Sequence, residues 1–220
     1  MICVKEELGD VRYFALYQDP LLDLAIDKTR LNLIRAIMNT FAINLNSIKF
    51  RTDLPSDKLI CFNKFFGNTF VDVSIGIEEL SVTINRLEDE QQAHDILSKI
   101  ITAMKKIKGF EIANQKITLS QHYSSDEDSN DFFQTLNPKT LESLSDMIKN
   151  QGVLYHLFDE ENNCNISILV DPSLVFAGGI FINADLQFYP NKFNFNEMFV
   201  YAKKKYYEIG FALGMEYKKG

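Results

Sequence analysis

The side chains suited to chemistry are few and scattered. His122 and His156 stand late in one alternating segment and early in another, with Asp159 and Glu160 a few positions beyond. If those two segments pair as neighbouring strands, the imidazoles approach each other. They would then form a general acid–base pair with a carboxylate to orient one ring. Tyr123, next to His122, and Asp171, at the head of a connection closed by Gly178-Gly179, are the further groups such a pocket would use. The simpler reading is a half-buried strand histidine satisfied by a backbone group, and the spacing itself favours neither acid nor base work.

The run Asp126-Glu127-Asp128-Ser129-Asn130-Asp131 has the first three oxygens of a calcium loop. Such a loop also needs a glycine at its sixth position and a glutamate at its twelfth. Asp131 and Asn137 occupy those places, so the run reads as a solvated loop or an acidic docking surface fronted by Asp126 and Asp128. Cys3, Cys61 and Cys164 are widely spaced, with no CxxC and no zinc spacing to His94, His122 or His156. Neither Cys61 nor Cys164 has a nearby lysine or helix start to activate it, and all three read as small hydrophobes of a reducing cytoplasm. Neither GxxxxGK[ST] nor GxGxxG occurs, and the residues imply no cofactor and no metal.

Phe193 and Phe195 alternate with Asn194 and Asn196 just ahead of a helix, inside a segment (188–199) crowded with aromatic residues. Left exposed, they would form a patch for a protein partner. The net charge of −7 argues against general nucleic-acid binding, although Lys203, Lys204 and Lys205 are a local basic run. The start carries Lys5, Glu6 and Glu7 where a signal peptide needs an apolar run, and no apolar stretch approaches the ~18 residues of a membrane span.

The elements that must position these groups occur in an order that repeats. Residues 11–17 read as a strand and 28–41 as a helix with Leu31, Ile34, Met38 and Phe41 in one stripe. Strands follow at 47–52, 58–65, 68–77 and 80–84, with a Pro55-Ser56-Asp57 turn and a tight turn or bulge at Glu78-Glu79. Residues 89–108 form a helix capped by Asp89, with Lys105, Lys106 and Lys108 in its last turn. The second pass has a strand at 116–123, a helix starting at Asn137-Pro138, a hairpin of 153–158 with 164–170, and a strand at 179–189. A helix over 195–209, ended by Gly210, and a short strand within 211–217 complete it. The spacing thus predicts an α+β fold, a mostly antiparallel sheet with helices on one face, built from two pseudo-symmetric β-α-β-β-β-α halves. The halves run from about 11–109 and 116–213 within a single domain of 1–220.

The strand 80–85 with its long helix, and 112–123 (IANQKITLSQHY) with the Asn-Pro helix start downstream, resemble a sporadically distributed family of uncharacterised bacterial proteins. In that family the second strand carries a Gly-Leu-Arg-Tyr-like signature, where this chain has Thr118-Leu119-Ser120. The resemblance implies a bacterial source and no known activity. By architecture alone the layout is also similar to export chaperones.

The expectation for function is therefore a non-enzymatic interaction protein, of accessory, neutralising or chaperone-like kind, using an uncovered sheet face or edge. The alternative is a small-molecule site at the junction of the halves, drawing on His122, Tyr123, His156 and Asp171. Exposed edge strands would also favour a homodimer.

Overall fold

The core is built by strand alternation. Val71, Val73 and Ile75 on one strand, and Ile180, Ile182, Ala184, Leu186 and Phe188 on another, are all buried, while the residues between them are not. A period of two puts each such set on one side of a pleated sheet. A computed structural model describes residues 1–50, 59–87, 90–136, 152–189 and 193–218. Its strands are β1 (Ile2–Tyr17), β2 (Ile48–Phe50), β3 (Ile60–Phe66), β4 (Thr69–Ile75), β5 (Glu79–Leu87), β6 (Ile112–Ser124), β7 (Val153–Asp159), β8 (Cys164–Pro172), β9 (Ile180–Phe188) and β10 (Met215–Tyr217). They form one sheet in the order β2-β3-β4-β5-β1-β6-β9-β8-β7, antiparallel throughout except that β10 pairs with β1 in parallel. The buried set packs against α1 (Asp27–Phe41), α2 (Glu90–Met104) and α4 (Phe195–Ala212). A shorter helix, α3 (Ser129–Leu136), follows β6. Among the described residues, no helix is long and apolar enough to cross a membrane.

β1 changes sides along its length. Ile2 and Val4 are buried at even positions, and Val11, Tyr13, Ala15 and Tyr17 at odd ones. One extra residue reverses every following side chain. That residue is Glu7, because Glu6 is opposite Tyr123 and Leu8 is opposite His122. A second irregularity lies on the β5 side, where Gly9 faces Leu87 and Val11 faces Ile84. Here Arg86 is the extra residue, held at φ 60° with its N–H donated to Asp10 Oδ1 at 3.0 Å.

Several boundaries differ from the expectations. The first strand begins at Ile2, not residue 11, because β10 and β6 pair its charged beginning. Glu78-Glu79 belongs to a tight turn closed by Gly76 N–H to Glu79 C=O at 2.8 Å, with β5 starting at Glu79. α2 ends at Met104, so Lys105, Lys106 and Lys108 lie in the turns that follow it. Gly210 does not stop the last helix; it is buried inside it, and a Cβ there would fall on the Tyr217 hydroxyl. The helix starts at a capping box, in which Asn194 Oδ1 accepts from Glu197 N–H and Glu197 Oε2 from Asn194 N–H. The Pro55-Ser56-Asp57 turn, the Asp89 cap and the Asn137-Pro138 helix start lie outside the described residues.

Candidate functional site

The face of the sheet turned away from the described helices mixes polar and apolar residues, and a polar row crosses it. Its register aligns one residue from each strand into a row: His156, Ser167, Asp185, Thr118, Arg12, Thr83, Asp72 and Asn63. Thr118 is nearly buried by its neighbours, and the others are half-exposed or exposed. Asp185 is held from two sides, by Lys116 Nζ at 3.0 Å and by the Thr118 hydroxyl at 2.5 Å. Ser120 donates to Asn183 Oδ1 at 2.8 Å one step along. Arg12, exposed in the middle of the row, sits over a shallow recess of about 400 Å³ shared with Phe14, Ser81 and Thr83. At the β7 end the face turns apolar, with Leu154 and Phe158 more than half exposed.

The four pocket candidates do not form one pocket. β9 and β8 stand between β6 and β7, so His122 and His156 are at least three strand spacings apart, about 14 Å. The proposed acid–base pair therefore does not assemble. His156 is exposed and meets Ser167 Oγ at 3.0 Å. Tyr123, adjacent to His122 in sequence, points to the opposite face by strand alternation, where it is buried and donates to the Tyr206 hydroxyl at 3.1 Å. Burial pushes its phenol far above the ordinary range. Asp171 does reach the same end of the same face as His122, through Phe181, which is in register with both.

The partner-binding candidates divide. Phe195 is core: its ring meets Tyr13 edge-on at 5.5 Å and stacks on His94 at 5.8 Å. Phe193 is also packed inward, stacked on Tyr201 at 5.5 Å and edge-on to Phe188 at 5.6 Å. The alternation with asparagine misleads here because Asn194 is the helix cap, which places the flanking rings on the helix underside. Asp126 and Asp128 are exposed, the first bound by Lys218 Nζ at 2.6 Å and the second accepting from Asn130 N–H at 3.0 Å. The acidic run leads into α3 rather than forming a cation loop. Among the described residues no three His, Cys, Asp or Glu come together as a metal set.

Burial pushes the Cys164 thiol up to about 12, away from the thiolate a nucleophile needs. Of the basic run, Lys204 pairs with Glu208 at 3.6 Å and Lys205 lies 3.3 Å from Glu208 and 3.6 Å from Asp159. Asp159 itself is held down to about 2, first by the Tyr201 hydroxyl and then by Asn162 and Lys205, against the opposing cost of burial.

Reading the chain alone missed Arg12, Lys116, Thr118 and Asp185. Each is the polar alternate of a strand, a signal visible in Lys116, Thr118, Ser120 and His122, but their alignment needs the cross-strand register. Asp171-Pro172-Ser173 is legible in the chain as the start of a long connection, but the contact of the Ser173 hydroxyl with His122 Nδ1, at 2.9 Å, is not. No protein-family model matches the chain, and no curated protein matches it.

Proposed function

We propose that this protein is a non-enzymatic binding factor, accessory, neutralising or chaperone-like, that takes a protein partner on its uncovered sheet face. The observation that carries this reading is the face that none of the described helices covers: a polar row crossing eight strands, with an exposed arginine at its middle and exposed Leu154 and Phe158 at one end. Arginine and aromatic side chains are enriched where protein partners meet, and Arg12 and Phe158 are both exposed on this face. A reducing, cytoplasmic setting fits the free cysteines. Part of the strand order supports two pseudo-symmetric halves. Outward from the β1–β6 seam it runs β1, β5, β4, β3 one way and β6, β9, β8, β7 the other, with β2 added beyond β3 on the first side alone.

Native mass spectrometry of the tagged protein from its own host tests the reading, with two variants. Arg12→Glu combined with Phe158→Glu is expected to abolish a stoichiometric partner, while Val200→Glu, exposed on α4, leaves it bound. Loss of the partner in the Val200 variant alone would move binding to the helix side and reject this face. A homodimer would show as a doubled mass in the absence of any partner.

A second reading rests on a cavity of about 80 Å³ where β1, β6 and α4 meet, between the halves. Val11, Leu87, Leu119 and Phe199 form its apolar wall, with Glu6 and Lys203 at the rim. Gly9 lets the Gln121 side chain lie against β1, since a Cβ there would fall on its side-chain oxygen. Saturable shifts of the Leu87 and Leu119 methyl signals in a fragment screen would support a small-molecule site; an unresponsive cavity would remove it.

A further inference from the structure

The connection from Ser173 to Gly179 folds back over the end of the uncovered face. Ser173 N–H donates to Gly179 C=O at 2.9 Å and Gly179 N–H to Phe176 C=O at 3.0 Å. Its tip carries Leu174, 92% exposed, and Val175, 56% exposed, while Phe176 comes to 6.3 Å from the His122 ring. The hydroxyl of Ser173 is the hub. It accepts from Val175 N–H at 3.2 Å and from Phe176 N–H at 3.0 Å. A serine hydroxyl has two lone pairs and one proton. Both lone pairs are used, so the proton is left for His122 Nδ1 at 2.9 Å. His122 must then accept at Nδ1 and carry its own proton on Nε2. A charged imidazole has N–H on both nitrogens and would turn a donor onto an oxygen with nothing left to accept it.

We propose that His122 is a proton-controlled latch: the neutral ring holds the 173–179 connection against the uncovered face, and protonation releases it. This rests on the reading of that face as the docking surface, and names how access to it is controlled.

The groups around the ring set the sign. Asp10 on β1 favours the charged ring; Glu7, bonded to Ser124 Oγ at 2.7 Å and paired with Lys5 Nζ at 3.1 Å, and Asp171 at the end of β8 are the other charged groups described at this end of the face. Phe181, 4.6 Å away and tilted, and Phe176 cover part of the half-buried ring. Burial outweighs Asp10, and the imidazole is held below its ordinary value. The latched state therefore binds fewer protons than the released one. Latching is complete above about pH 6.5, the ordinary imidazole value, and weakens as pH falls below it.

Amide hydrogen exchange at Val175 and Phe176, corrected for intrinsic rates and followed by NMR against pH, tests this without any partner. Imidazole nitrogen shifts at neutral pH are expected to show the Nε2–H tautomer. Protection of both amides should fall below pH 6.5, by at most about tenfold per pH unit, the limit for one linked proton. His122→Gln, whose side-chain oxygen can accept from Ser173 at any pH, should keep protection flat. Ser173→Ala should lose protection at every pH. An Nδ1–H tautomer, protection that ignores the His122 titration, or a His122→Gln variant as pH-sensitive as the parent would each overturn the latch. Partner capture by the Arg12 variant is read separately, so the latch can fail with the docking reading intact, or the reverse.

Discussion

The two faces of β6 obey opposite rules. Ile117 and Tyr123 are sealed under α4 and its neighbours, where burial and ring packing hold the fold. Lys116, Thr118, Ser120 and His122 alternate with them on the opposite face. An exposed sheet face needs no more than solubility, and scattered lysine and glutamate would meet that need. Here the alternates are instead tied to one another, Lys116 and Thr118 to Asp185, Ser120 to Asn183, and His122 to Ser173. Folding accounts for the first face. The order of the second is what the proposed docking role explains.

Substitutions should separate the faces by size of effect. Leu97, fully buried on α2, is expected to cost about 2–5 kcal/mol as Leu97→Ala in urea unfolding. Gly210→Ala should cost about 1–3 kcal/mol, because its Cβ must displace the Tyr217 ring end. Asn194→Ala removes the capping box of α4 and should cost about 1 kcal/mol. Asp159 sharpens the comparison through pH. Its depressed carboxyl contributes stability above about pH 3.8, lost as pH falls through about 2. Asp159→Asn should therefore flatten the acid limb of the stability profile. At the small end, Arg12→Ala should change stability by no more than about 0.5 kcal/mol while weakening any partner. A large loss of stability at Arg12 would break the comparison outright.

Much of the covered face was legible in the chain. The Val71-Val73-Ile75 alternation and the stripe around Leu97 and Ile100 carry their own periodicity, and the β7–β8 hairpin announces its turn. Order across the sheet was not legible, because nothing local says that β9 and β8 separate the two histidines. Gly210 read as a helix stop because its partner, Tyr217, is supplied by packing rather than by adjacency. Phe193 and Phe195 read as exposed because the cap at Asn194 rotates them inward. The latch was hidden for the same reason: Ser173 is 51 positions from His122.

The seam between β1 and β6 has a consequence for how the chain assembles. The outer strands join their neighbours through short links, β3 to β4 to β5 and β7 to β8 to β9, while Val11 must find Leu119 across more than a hundred residues. Closing so long a loop before any contact rewards it is slow. The two wings should therefore gain structure early and the middle late, so that the rate-limiting barrier lies at the seam. Substitutions there, at Val11 or Leu119, should slow refolding, whereas those in the wings should chiefly hasten unfolding.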